Sequence, residues 1–208
     1  MPRRAYSDQE RAQIRQSLLD AAVNCIAQKG LVHTSIEELC RQVGISKSFF
    51  YGFFSSKEEL VLEALRHQQP KLLQYALQLM EDERITWRQA VHTFLKRCCC
   101  GQENGVAVLS LEEEQAVYRC LSAENFQAFQ RDQLLFFEAL LRVFGVSPEK
   151  VDPRLFGNLA LSMMMVYRGM PRTMPFLFPE LAGEMVEFQI QALLAGMEQA
   201  RDQTAASK

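Results

Sequence analysis

No apolar stretch of the 208-residue chain approaches the roughly 18 residues that a membrane span needs, and "MPRRAYSDQERAQ" at its start lacks the apolar centre of a signal peptide. The expectation is a cytoplasmic protein with no membrane association. The spacing of a disulfide framework is missing too: Cys25, Cys40, Cys98, Cys99, Cys100 and Cys120 fall in or beside helix-like stretches, which fits buried thiols in a reducing compartment. Three successive helical residues point about 100° apart, so Cys98, Cys99 and Cys100 cannot close on one ion, even with His92 upstream. A redox role for Cys99 or Cys100 stays open, because sequence does not reveal a thiolate. His33, His67 and His92 are isolated, and no Ser/His/Asp or paired-carboxylate arrangement can be assembled from local spacing. No catalytic residue, metal site or cofactor is therefore expected, and the chain is not read as an enzyme. Internal repeats and low-complexity tracts are also lacking.

What is present is helical periodicity and enough apolar content, 48%, for a core. Ile14, Leu18, Ala22 and Cys25 line one face of a helix from about Gln9 to Lys29, with Gly30 as its C-cap. A second helix opens at Ser35, with Glu38 completing a capping box, carries Ile36, Leu39, Cys40 and Val43 as its stripe, and closes at Gly44. A short third helix starts at Ser46. A fourth starts at Ser56, boxed by Glu59, and is expected to end at Pro70. Further helices are predicted over about 70–82, 86–100, 106–119, 122–144, 152–169 and 179–200. The "LEEEQ" run at 111–115 reads as a solvated face.

Charge is unevenly spread. Up to Lys57 there are eight basic and five acidic residues, and beyond it fifteen and twenty. A basic first part joined to an acidic remainder suggests that only the first part meets a polyanion.

The densest signal is "GISKSFFYGFF", residues 44–54, with five aromatic rings among six positions. At about 100° per residue the run divides: Phe50 and Phe54, with Phe53 beside them, face inward, while Lys47, Ser48, Tyr51 and Gly52 face outward and Phe49 lies at the boundary. A cation, a hydroxyl, a phenol and bare backbone suit a helix lying in a major groove near phosphates. Helix two, a tight turn through Gly44 and this short helix make a helix-turn-helix. A packing hairpin or a protein-contact surface built on the aromatic patch is the bland alternative.

"TSIEELCRQVGISKSFFYGFFSSKEELVLEAL", residues 34–63, resembles the DNA-binding motif of the tetracycline-repressor (TetR) family, roughly T-x-x-x-I-A-x-x-A-G-V-S-x-G-T-L-Y-x-H-F-x-S-K-E-x-L. Gly44, Ile45, Ser46, Tyr51, Phe54, Ser56, Lys57, Glu58 and Leu60 match by type and spacing, and with helix one the likeness covers about residues 9–65. The resemblance implies phosphate contacts from Tyr51, Lys57 and Thr34 or Ser35, with Ser46 capping a reading helix whose base-facing positions are Lys47, Ser48 and Phe49. At those positions the chain departs from the pattern: Ser48 stands where glycine is common, and Phe49 where threonine or serine is. Phe49 either reaches a thymine methyl or packs inward.

The resemblance further implies an all-α protein with a DNA-binding domain over 1–54 and an effector-binding and dimerisation domain over 55–208. It would be a repressor released from a palindromic operator by a small effector, with activation left open because the sign of regulation depends on where the operator sits. The helices at 152–169 and 179–200 are apolar on more than one side, which suits a homodimer bundle. Candidates for an effector pocket suited to apolar or planar ligands are Phe94, Phe126, Phe129, Phe136, Phe137, Met163, Met164 and Tyr167, each of which also suits plain core packing. The rival reading is a carrier or enzyme that has kept a vestigial helix-turn-helix.

Overall fold

The structure, a computed structural model, describes residues 6–99, 105–169 and 177–205. Arg3, Arg4 and Cys100 lie outside the described residues. Regular structure among those described is helical throughout: α1 (Asp8–Lys29), α2 (Ile36–Val43), α3 (Lys47–Phe50), α4 (Lys57–Glu81), α5 (Trp87–Cys99), α6 (Leu111–Arg119), α7 (Ala123–Val143), α8 (Pro153–Gly169), a 3-10 turn (Pro179–Leu181) and α9 (Ala182–Ala205). No helix among these residues is long and apolar enough to cross a membrane.

Three apolar clusters organise the chain. Leu18, Ala22, Cys25, Leu39, Phe50, Phe54 and Leu60 gather α1 to α3 around the start of α4. Phe94, Leu95, Leu141, Phe144, Phe156, Met163, Val186 and Ile190 join α5, α7, α8 and α9 into the larger core. Between them Ile26, Leu31, Val61, Leu62, Ala107, Leu109, Val117 and Phe129 form a third cluster. That cluster fastens the N-terminal helices onto α6 and α7. Cys25, Cys40, Cys98 and Cys99 are buried, and Cys120 is exposed. Burial pushes the Cys98 thiol up to about 12, so it is inert at neutral pH.

Three expectations are corrected. Pro70 does not end α4, which continues to Glu81. The proline sits on the exposed side, where water can satisfy the carbonyl that loses its amide donor, and α4 packs against α1 before it and α5 and α7 around and beyond it. The helix expected from 106 begins only at Leu111. Val106, Ala107, Val108 and Leu109 are buried and non-helical because the Gln68 side chain clamps the Ala107 peptide from both sides, Nε2 donating to its carbonyl at 2.8 Å and Oε1 accepting its amide at 2.9 Å. Capping boxes were expected at Ser35 and Ser56. Both serines accept the amide three residues on, but the Glu38 carboxylate goes to Lys29 and that of Glu59 to the backbone amide and hydroxyl of Ser55. Reciprocal boxes form instead at Ser7 with Glu10 and at Ser110 with Glu113.

Candidate functional site

The turn between α2 and α3 is fixed by Gly44, whose left-handed backbone, φ 76° and ψ 32°, lets the Ile45 amide reach back 2.9 Å to the Cys40 carbonyl. Ser46 then caps α3 by accepting the Phe49 amide at 3.2 Å. With Phe50 and Phe54 buried at 0% and 1%, the short helix is pinned by its aromatic side. Lys47, Ser48, Tyr51 and Gly52 face solvent, and Ser35 is exposed at the start of α2. Arg41 and Gln42 are exposed on α2 itself.

Electrostatically this surface is partly self-neutralised. Lys47 pairs with Glu37 of α2, which holds the glutamate below and the lysine above its ordinary pKa. Both groups are solvent-exposed, so the pair is weak and a phosphate can compete for the lysine.

Three predicted contacts sit differently from a free surface residue. Thr34 is 2% exposed and its hydroxyl donates to the Gly30 carbonyl at 2.8 Å, so it shapes the α1–α2 turn instead of offering a donor to phosphate. The Lys57 ammonium is half-buried and donates to the Leu31 carbonyl at 2.7 Å, and burial pushes its pKa down. It braces the same turn, with further N–H donors left. Phe49 is half-buried: Tyr6 stacks on it at 4.8 Å, Phe53 meets it edge-on at 5.1 Å and the Arg11 guanidinium lies 5.5 Å from its ring centre. It packs against its own chain while keeping part of its surface open.

A second site lies in the helical body. An inner chamber of about 120 Å³ is lined by α4, α5, α6, α7, α8 and the 106–109 segment, and an outer one of about 770 Å³ opens beside α6, α7 and α8. Glu114, Tyr118, Phe129, Gln133, Phe137 and Leu161 belong to the walls of both. Of the predicted pocket residues, Phe94, Phe136 and Met164 line the inner chamber, Phe126 the outer one, and Phe129 and Phe137 both. Met163 and Tyr167 do not line it. Met163 is fully buried toward α9, and Tyr167 packs against the main core.

The residues that sequence reasoning missed lie in the glutamate run read as solvated. Glu113 is 8% exposed. One of its oxygens accepts the Val32 amide at 3.0 Å, in the turn that leads into α2, and the other accepts the Ser110 amide at 2.8 Å. Its neighbour Glu114 turns to the cavity and accepts the Tyr118 hydroxyl at 2.9 Å, and burial raises its pKa. The Ser-x-x-Glu spacing at 110–113 was the available signal for Glu113, and the i, i+4 spacing to Tyr118 for Glu114.

The family described as "Bacterial regulatory proteins, tetR family" has a sequence profile that matches residues 18–64. An HTH-type transcriptional regulator of Bacillus subtilis, YuxN, is 24% identical over 142 residues, 66% of this chain and 48% of its own length. The HTH-type transcriptional regulator BetI of Brucella anthropi is 30% identical over 53 residues, 26% of this chain and 27% of its own. These matches span about half and about a quarter of the relatives' lengths. Solved TetR-family regulators from Streptomyces coelicolor (TM-score 0.57, 15% identity, 89% of this chain and 96% of that one) and Pectobacterium atrosepticum (0.55, 16%, 94% and 97%) share the fold. The segment that matches the tetR-family profile is the helix-turn-helix with the helices that hold it, and the all-helical architecture around it is the fold of the solved TetR-family regulators.

Proposed function

We propose that the chain is a transcriptional regulator of the TetR family, a ligand-responsive repressor that binds a palindromic operator as a homodimer and leaves it when a small effector occupies the cavity. Residues 1–54 serve as the DNA-binding unit and residues 55–208 as the sensing and pairing unit. Lys47, Ser48 and the open part of Phe49 read bases, Ser35, Tyr51 and the remaining donors of Lys57 hold phosphates, and Ser46 keeps the reading helix capped. The Tyr6 ring would have to shift for Phe49 to reach a base. Pairing uses the outer face of α8, the 3-10 turn and α9, where Leu155, Leu159, Leu181 and Phe188 are exposed at 58%, 42%, 40% and 76%. An interface of this kind buries on the order of 2,000 Å² in total, and the two reading helices must then meet successive major grooves about 34–36 Å apart.

The observation that carries the sensing half is the placement of α6: Glu113 holds the turn that leads into α2, and the next residue, Glu114, stands in the cavity wall. An effector that displaces α6 acts on the reading helices through that bond, provided that it binds the two arrangements unequally.

Selection of bound duplexes from a random DNA pool tests the reading, followed by anisotropy titrations of the recovered site over a salt series. Lys57→Ala is expected to weaken all duplexes alike, whereas Ser48→Ala and Phe49→Ala change the preference among them. Equal behaviour of the three variants, or recovery of no preferred duplex, rejects the assignment.

A further inference from the structure

Among the described residues, the walls of the inner chamber contain no lysine, arginine or histidine, and Glu114 is their one carboxylate. A half-buried acid normally finds a cationic partner or several donors. Glu114 has one hydrogen bond, from the Tyr118 hydroxyl. Among the described side chains, the nearby arginines are otherwise engaged or outside. Arg66 pairs with Asp132 at 2.8 Å and lies over the Phe129 ring, Arg154 at the outer chamber is held by Asp152 at 2.6 Å, and Arg131 is exposed on the rim.

Around the carboxylate the walls are aromatic. Tyr118 meets Phe126 at 5.2 Å and Phe129 at 5.9 Å, and Phe137 meets Phe136 at 5.4 Å and Phe156 at 6.1 Å. Ring faces attract cations, and a desolvated carboxylate attracts them more strongly. A hydrated metal ion or a small ammonium would gain little from so much apolar surface. An anion would meet Glu114 itself.

We propose that the effector is a lipophilic organic cation, a quaternary ammonium, a phosphonium or a delocalised cationic dye, whose charge rests between Glu114 and the faces of Tyr118, Phe129 and Phe137. This assignment rests on the sensing role proposed for the cavity. At about 120 Å³ the inner chamber holds one arm of such a molecule, and the 770 Å³ outer chamber holds its body.

The test is calorimetric titration of the full chain with tetraphenylphosphonium and with tetraphenylborate, ions of like size and opposite charge. The phosphonium is expected to bind about ten-fold or more tightly than the borate, and Glu114→Gln to lose about ten-fold for the phosphonium alone. Equal binding of the two ions to the wild type, no binding of the phosphonium, or indifference to Glu114→Gln in a variant with an unaltered helical circular-dichroism spectrum overturns the proposal. Adding each ion, and neutral triphenylphosphine oxide, to the operator complex separates the two claims. Binding of the phosphonium without DNA release removes the sensing role and leaves the cation site standing. Release by the neutral oxide, with no binding of the phosphonium, does the reverse.

Discussion

Replacing Glu113 by alanine should loosen the α1–α2 turn from α6, and the structure sets the size of the effect. The native carboxylate accepts the Val32 amide at 3.0 Å and the Ser110 amide at 2.8 Å, while the Ser110 hydroxyl accepts the Glu113 amide at 3.2 Å. Ser110→Ala removes the hydroxyl cap for about 1 kcal/mol and leaves the bond to Val32 in place. Glu113→Ala removes both bonds to the carboxylate. A hydrogen bond to a charged acceptor contributes about 1.5–3 kcal/mol. Val32 is 74% exposed, so water can reach its amide once the carboxylate is gone, and the lower figure applies. The loss on Glu113→Ala is then about 3 kcal/mol, about 1.5 kcal/mol for each bond, of which about 1.5 kcal/mol belongs to the turn. By the rule that 1.4 kcal/mol is ten-fold, the Val32 amide should exchange about ten times faster in Glu113→Ala and at the native rate in Ser110→Ala. Hydrogen-exchange mass spectrometry of a peptide covering 30–35, with urea unfolding at fixed protein concentration, measures both quantities. Equal exchange in the two variants, or no acceleration in Glu113→Ala, refutes the bond as a link between α6 and the DNA-binding helices.

Glu37→Gln should release Lys47 and raise affinity for all duplexes by about two- to five-fold at low salt, with the gain shrinking as salt is added, as anisotropy titration would read. Gly157→Ala should weaken effector binding, because a Cβ there runs into the Phe137 ring and pushes it toward the cavity; overpacking of this kind costs about 1–3 kcal/mol and is measurable by unfolding alongside calorimetry. Phe188→Glu should turn a dimer into a monomer at micromolar concentration by light scattering, while a chain that is monomeric from the outset rejects the pairing face. Burial raises the folded-state pKa of Glu114, so its ionisation costs stability above that pKa and costs nothing below the unfolded value of about 4.3. Glu114→Gln should accordingly unfold at a higher urea concentration than wild type at pH 7–8, and the difference should vanish as the pH falls to about 4.

The helix-turn-helix was legible because its signals are local. Capping serines, a glycine that must turn left-handed at 44 and an aromatic run whose inward members are separated by four positions all act within one or two turns of chain. The errors came where a distant partner decides. Pro70 looked like a stop because nothing in its neighbourhood says that α4 packs on both sides of it. Val106 to Leu109 have helical spacing, yet Gln68, some forty residues earlier, satisfies their backbone in another conformation. Lys57 spends one of its donors on the Leu31 carbonyl, 26 residues earlier, a tertiary contact that no short window of sequence contains, whereas the Thr34 hydroxyl turns back on the Gly30 carbonyl only four residues before it.

The glutamate run shows why charge alone misled. In "LEEEQ", Glu112 is exposed, Glu113 is turned to the α1–α2 turn and Glu114 to the cavity, since neighbours on a helix diverge by about 100°. Three acids in a row on one exposed face would repel and have no reason to be ordered, but three acids in a row on a helix wedged between two partners serve three surroundings. On the proposed sensing role, a ligand that turns α6 at Glu114 would carry the Glu113 carboxylate away from Val32, because the helical backbone sets the two positions about 100° apart. The coupling proposed above would need no chain of intermediates, only the adjacency of two side chains and the stiffness of the backbone that bears both.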